Sequence, residues 1–253
     1  MTAATRDDLG AEVSLERPAR RVVSLVPSLT EAVAATDRTA LAGATQWCTH
    51  PADLDIPRVR GTKNPDVAAI VDLRPDLVIA NMEENRELDV RRLRDGGIPV
   101  WVTVTETVRG AIGSMRRMFT DGFGWDVPDW LERVDEAWPQ HLPAPTHHVA
   151  IPIWRDPWMV VGRETFTGDL AAHLGLRNVF ADDAERYPRV TVADIVVREP
   201  DVVVLPDEPY VFTPTDGPEA FPELQCSLVQ GRALTWYGPS LLTAREIVLG
   251  AIG

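Results

Sequence analysis

Apolar residues in this chain gather into short unbroken runs, each stopped by a proline, a glycine or a knot of polar residues. The first run, Arg21-Val22-Val23-Ser24-Leu25-Val26, ends at Pro27. Its length and its β-branched residues predict a strand buried on both faces. Ser28 is then the expected N-cap of a helix over 29–35, with Glu31 three places on to complete a capping box. Strand, sharp turn and helix follow one another directly, so the turn lies at the carboxyl end of a strand, where open α/β sheets bind ligands. The alternation continues with strands at 41–44, 77–80 and 100–104, a helix over 86–95 closed by Gly96-Gly97, and a helix over 107–119. A helical stretch over 128–138 places Trp130, Leu131, Val134 and Trp138 on one face and is closed by Pro139, Pro143 and Pro145. His148 to Trp154 opens a second strand-led series.

One internal echo organises the rest. Ile70-Val71-Asp72-Leu73-Arg74-Pro75-Asp76-Leu77-Val78-Ile79 resembles Ile195-Val196-Val197-Arg198-Glu199-Pro200-Asp201-Val202-Val203-Val204, 125 residues later. Each copy reads as a helix end, a Pro-Asp turn and a buried strand. Such units also recur by chance in α/β chains. The preferred reading is two similarly built lobes: an N-terminal extension (1–19), an α/β lobe (20–112), a connecting helical segment (113–145) and a second α/β lobe (146–253).

Composition narrows the partners. Thirty-eight acidic against 25 basic side chains give a formal charge of −13. That balance disfavours nucleic acid or an anionic membrane surface, which require concentrated Lys and Arg. No segment approaches the ~20 apolar residues of a membrane span. The N-terminal stretch, with Arg6, Asp7, Asp8, Glu12 and Glu16, lacks the apolar core of a signal peptide. The sequence expectation is therefore a cytoplasmic protein. Cys48 and Cys226 are too few for a disulfide framework, although one bridge stays open.

The segments Val26-Pro27-Ser28-Leu29-Thr30-Glu31, Arg74-Pro75-Asp76-Leu77-Val78-Ile79 and Gly97-Ile98-Pro99-Val100 resemble the iron-chelate and vitamin B12 class of ABC-transporter solute-binding proteins (class III, the helical-backbone metal receptors). Ile153-Trp154-Arg155-Asp156-Pro157-Trp158-Met159, followed by Gly162 and Thr165-Phe166, looks like the opening of that family's second lobe, most of all in the vitamin B12-binding branch. The likeness runs from about Arg20 to the C-terminus and is carried by the order and spacing of these segments. It implies two Rossmann-like α/β lobes joined by a rigid backbone helix, with the ligand, a corrinoid such as cobalamin or another metal chelate, in a cleft between them. It also implies a docking glutamate on each lobe for a permease, but these positions fall at Ala68 and Ala193, again 125 residues apart. A methyl group forms no charge-assisted bond, so permease docking is doubted, with Asp66 or Asp194 as possible substitutes. Of the aromatic positions expected to flank a corrin, Trp47, Trp158 and Tyr187 are kept, while Arg60 and Asn81 stand where tryptophans are expected. The ligand could then be smaller or more polar.

Candidate contacts come from the loops after the strands. Cys48 and His50, two apart, carry soft and borderline metal donors, yet two ligands do not make a site, and lining the cleft is the plainer reading. Gly61-Thr62-Lys63-Asn64-Pro65 offers Lys63, Asn64 and backbone donors to an anion, or else is an ordinary turn with Asn64 as N-cap and Pro65 first in the helix. Glu83, Glu84 and Arg86 crowd the exit of the 77–80 strand. Arg86 is the favoured anion contact, its fork matching carboxylate or phosphate; a solvated loop is the alternative. Arg155 and Trp158 open the second lobe. Trp236 and Tyr237, read as ending a late strand, could stack on a flat ligand or simply bury the last helix. His147 and His148 are read as non-functional. No nucleophile-elbow, zincin, Cys-x-x-Cys or Walker motif occurs, and Gly122-Phe123-Gly124 is no dinucleotide fingerprint. A metal-chelate solute-binding protein leads. The alternative is an enzyme using the same cleft for a small anionic metabolite, with Cys48, His50, Lys63, Glu83, Glu84 and Arg86 as its reactive set. A purely structural module would leave these polar residues unexplained.

Overall fold

In the computed structural model, residues 5–15 and 18–253 are described; the remainder of the N-terminal extension, Glu16 included, lies outside them. The chain divides into two compact units. The first comprises Met1–Thr105, Gly110–Asp135 and Tyr237–Pro239, the second Glu106–Arg109, Glu136–Trp236 and Ser240–Gly253.

In the first unit, β1 (Thr5–Arg6) and β2 (Glu12–Val13) form an N-terminal hairpin, followed by β3 (Val22–Ser24), α1 (Pro27–Asp37), β4 (Leu41–Ala44), β5 (Arg60–Gly61), β6 (Asn64–Pro65), α2 (Val67–Asp72), β7 (Leu77–Asn81), α3 (Glu87–Asp95) and β8 (Val100–Thr103). Strands β4-β3-β7-β8 make one parallel sheet in that order. All five residues of β7 and all four of β8 are buried, as a sheet covered on both faces requires. On one face Val23, Leu25, Val78, Ala80, Val100 and Val102 pack with Ile70 of α2 and Val90 and Leu93 of α3. Each Val, Leu or Ile among them contributes about 1.5–3 kcal/mol on burial.

Helix starts differ from the sequence expectation by one device each. Pro27, not Leu29, opens α1; its fixed φ and missing N–H suit the first helical position, Val26 is the N-cap, and no side chain caps it. The Ser28–Glu31 capping box is therefore not formed, and Ser28 is buried in the first turn. Asn64-Pro65 likewise does not start a helix. It pairs antiparallel with Arg60-Gly61, and Asp66 caps α2 by accepting from the Ala69 N–H.

The 113–145 segment is not one continuous helix. α4 (Val108–Arg117) passes into a π-helical turn, Met118–Phe123, ended by Gly124 at φ +69°, and α5 (Asp129–Ala137) follows. The widened turn lets Gly122 lie against the buried Trp101 ring, and Phe119, Phe123 and Trp125 stack beside it.

Two consecutive carboxylates finish the outer edge of this sheet. The buried Asp7 carboxylate accepts from the Val102 N–H and pairs with Arg94, while Asp8 accepts from the Val104 N–H and its own N–H donates to Val102 O. Ser114 and Arg117 also reach Asp8. The extension thus satisfies donors that a missing neighbouring strand would have taken.

The second unit repeats the scheme with β9 (His147–Ala150), β10 (Pro152–Trp154), β11 (Met159–Val160), α6 (Phe166–His173), β12 (Leu176–Asn178), α7 (Val192–Val196), β13 (Val202–Pro206), β14 (Gln225–Val229), α8 (Gly231–Thr235) and α9 (Leu241–Ile252). Its parallel sheet has the order β12-β9-β13-β14. Each sheet therefore places its second strand outside its first, then its third and fourth on the other side. The sequence echo is matched atom for atom. Arg74 and Glu199, both just before the Pro-Asp, take left-handed φ of 48° and 50°. Asp76 accepts from the N–H groups of Arg20 and Arg21, and Asp201 from that of His148. In return the Asp76 N–H donates to Arg21 O and the Asp201 N–H to His148 O. The two units are built alike.

Candidate functional site

In a sheet ordered second-first-third-fourth, the chain changes direction beside the first strand, and the loops at the carboxyl ends there spread apart. In the first unit these are the loops after β3, β4 and β7. Asn85 holds three segments together, its Nδ2 donating to Leu25 O at 3.3 Å and Thr62 O at 3.0 Å. Asn81 shapes the loop after β7: Oδ1 accepts from the N–H groups of Glu83 and Glu84, and Nδ2 donates to Thr103 and Thr105. Asn81 is buried. Where the resemblance led to a tryptophan, this chain spends the position on fixing its own loop.

The predicted contacts divide sharply by exposure. Trp47, on the loop after β4, is 59% exposed, and its indole edge passes close over Gly61, where an added Cβ would lie 3.2 Å from Nε1. Lys63 and Asn64 are exposed; the Lys63 ammonium donates to Glu83 O at 2.5 Å. Arg86, the N-cap residue of α3, is exposed, and Glu83, Glu84 and His50 are half-buried. Arg60 is exposed and paired with Asp66 at 3.3 Å. Ser28 and Cys48 are interior. Cys48 Sγ lies 2.9 Å from Thr30 Oγ1 and 3.2 Å from Thr45 Oγ1. Burial pushes this thiol up, against the opposing pull of the two hydroxyls. Among the described residues no group of three His, Cys, Asp or Glu side chains could hold a metal ion, so the Cys48–His50 pair is not completed into a site.

Tyr237 follows α8, not a strand as the sequence suggested, and it is buried in the first unit. Its hydroxyl donates to Glu84 Oε1 at 3.2 Å. Burial, then the Glu84 charge, push the phenol well above its ordinary range. Tyr237 therefore holds Glu84 in place and is not a free stacking surface.

In the second unit Trp158 is buried, stacked on Phe212 at 5.8 Å and edge-on to Phe221 at 5.2 Å. Arg155 lies over the Trp158 ring and pairs with both Asp216 and Glu219. Tyr187 is half-buried, on a segment separate from these. Trp236 is buried, with Arg232 over its ring, and bonds Glu208, whose carboxyl burial pushes up. Sequence reasoning quoted Trp154 without counting it among the candidate contacts. It is 44% exposed at the end of β10, edge-on to Tyr210 at 5.7 Å. Met82, exposed on the loop after β7, was missed too. The signal was available: both are large apolar residues at the exit of a strand, Trp154 its last residue and Met82 the next one on.

No protein-family model matches the chain. A vitamin B12-binding protein of Vibrio cholerae is 23% identical over 193 residues, covering 74% of this chain and 70% of the relative. The crystal structure of the periplasmic vitamin B12-binding protein BtuF of Vibrio cholerae superposes with a TM-score of 0.75 at 20% identity, covering 93% of this chain and 97% of that one. The periplasmic heme-binding protein BhuT, in complex with two hemes, gives 0.76 at 21%, covering 92% and 97%. These relatives correct the expected location: the proteins that share this fold are described as periplasmic, so the cytoplasmic reading, drawn from the polar N-terminal residues, does not stand. By sequence and by its α/β fold, the chain resembles the iron-chelate and vitamin B12 (class III) solute-binding proteins.

Proposed function

We propose that this protein is a periplasmic-type solute-binding protein for a flat metal chelate of the cobalamin or heme kind, taken by the loops at the carboxyl ends of its sheets. The observation that carries the reading is the exposure of large apolar side chains on those loops, Trp47 and Met82 in the first unit and Trp154 in the second. An exposed indole at a strand exit gains by covering an apolar ring face, and its N–H still finds a polar partner. Relatives named for vitamin B12 and heme support the ligand class. The enzymatic alternative loses Cys48 from its reactive set, because Cys48 lies in the interior with its thiol form favoured.

Ala68 and Ala193 are both exposed in the first turns of α2 and α7, at matching places in the two units. On this reading any permease is met without the two carboxylates that the resemblance implies. If so, a permease retained better by the double variant A68E/A193E than by the natural chain would show what those positions lack.

Titration with cyanocobalamin and with hemin, followed by calorimetry and absorption, tests the main reading. A one-to-one complex with at least one of them is expected, weakened about tenfold by W47A or W154A, the ~1.4 kcal/mol of one lost stacking face. Absence of binding to both at about 100 μM, a limit near −5.5 kcal/mol, would overturn it.

A further inference from the structure

Two segments at the carboxyl edge of the second unit, those after β9 and β13, carry a charge pattern that the proposed function does not by itself require. In segments 151–158 and 207–219 there are five carboxylic acids, Asp156, Asp207, Glu208, Asp216 and Glu219, against one cation, Arg155. That cation is engaged: its guanidinium pairs with Asp216 and Glu219 and covers the Trp158 ring. The exposed indole of Trp154 leans on Tyr210, and the Tyr210 hydroxyl donates to Asp216 at 2.7 Å. Asp156, two residues after Trp154, is 90% exposed and only loosely paired with Arg155, at 3.9 Å. Bonds from Tyr210 and then Arg155 hold Asp216 below the usual carboxylate range, and the Arg155 bond does the same for Glu219. Both stay ionised at neutral pH. An aromatic plate is thus bordered by hydrogen-bond acceptors of fixed negative charge.

We propose that this edge selects among metal chelates by their rims, favouring rims of amide or cationic groups and rejecting rims of free carboxylates. The inference rests on the proposed binding function. An amide N–H or an ammonium group would donate to exposed Asp156, or add a further bond to the Asp216 and Glu219 carboxylates, whose oxygens already accept from Arg155, Tyr210 and the Gly217 N–H. A ligand carboxylate brought to the same place meets like charge, with Arg155 already committed, and discrimination of this repulsive kind is an effective source of specificity.

Two corrins with the same ring and the same cobalt give the test: cyanocobinamide, whose rim groups are amides, and cobyrinic acid, whose rim groups are carboxylates. Calorimetric titration at low salt should show the amide form at least about tenfold tighter, a gap of ~1.4 kcal/mol. The gap should shrink as salt rises to about 0.5 M, since exposed charges are then screened. The double variant Asp156→Asn, Glu219→Gln should narrow it further by improving the acid. The salt series uses the natural chain and so does not depend on the variant folding. Equal or tighter binding of cobyrinic acid at low salt, with cobinamide also bound, would overturn the rim selectivity and leave the proposed function standing. If neither corrin nor hemin binds, the function falls and the selectivity with it.

Discussion

Cys48 shows how far a side chain's chemistry depends on where the fold puts it. Beside His50 in the sequence it reads as half of a metal site; in the structure it lies inside the first unit between two threonine hydroxyls. Desolvation disfavours the thiolate. The expected outcome with a thiol reagent at pH 8 is slow labelling of Cys48, at the rate of unfolding, read by mass spectrometry of its peptide. Rapid labelling in the native protein would show that the interior placement is wrong. Asn81 and Tyr237 make the same point from the other direction. Asn81 stands where the resemblance leads to a tryptophan and Tyr237 read as a stacking surface, and both serve to set the position of Glu84.

At the scale of the element, strands were the most legible feature and caps the least. The runs at 41–44 and 77–80 declared themselves because a strand buried on both faces has nowhere to place a polar residue. The Pro-Asp turns were legible because each carboxylate takes backbone N–H groups at the start of the first strand of its unit's parallel sheet, and Asp76 and Asp201 were both in the echo. Caps depended on two-residue shifts, Val26 over Ser28 and Asp66 over Asn64, which local sequence leaves nearly balanced. The π-helical turn had no signal beyond Gly122 and Gly124. Its reason is tertiary: a Cβ at position 122 would lie 2.9 Å from the Trp101 ring. Trp101 is fully buried and cannot retreat. Gly122→Ala should therefore cost about 1–3 kcal/mol, as overpacking of a tight interior does. Urea unfolding measures this, and an unchanged midpoint would mean the ring has room.

For the whole molecule, the duplicated architecture could be read from one ten-residue echo, because equal folds need equal turns; the exposed aromatics that suggest a ligand could not, because exposure is a property of the assembled sheet. Stability as a whole carries a titration in the second unit. His173 is buried, its ring edge-on to Trp138, with Asp169 3.5 Å from Nε2 and Arg109 and Arg245 adding positive charge nearby. Burial, the dominant cause, lowers its pKa below the ordinary 6.5 despite Asp169. The unfolded chain then binds the proton more readily, so this contribution is present above pH 6.5 and is lost as pH falls towards the folded value. The thermal midpoint should drop between pH 7 and 5, and His173→Gln should flatten that drop; an identical slope in the variant would remove His173 as its source. The Asp7-Asp8 hairpin carries a last consequence, for how the protein is handled. A chain trimmed beyond Asp8 would bare the Val102 and Val104 N–H groups at the outer edge of β8, a template for strand-to-strand aggregation. Proteases, tags and cloning junctions at this end therefore decide solubility more than they decide folding.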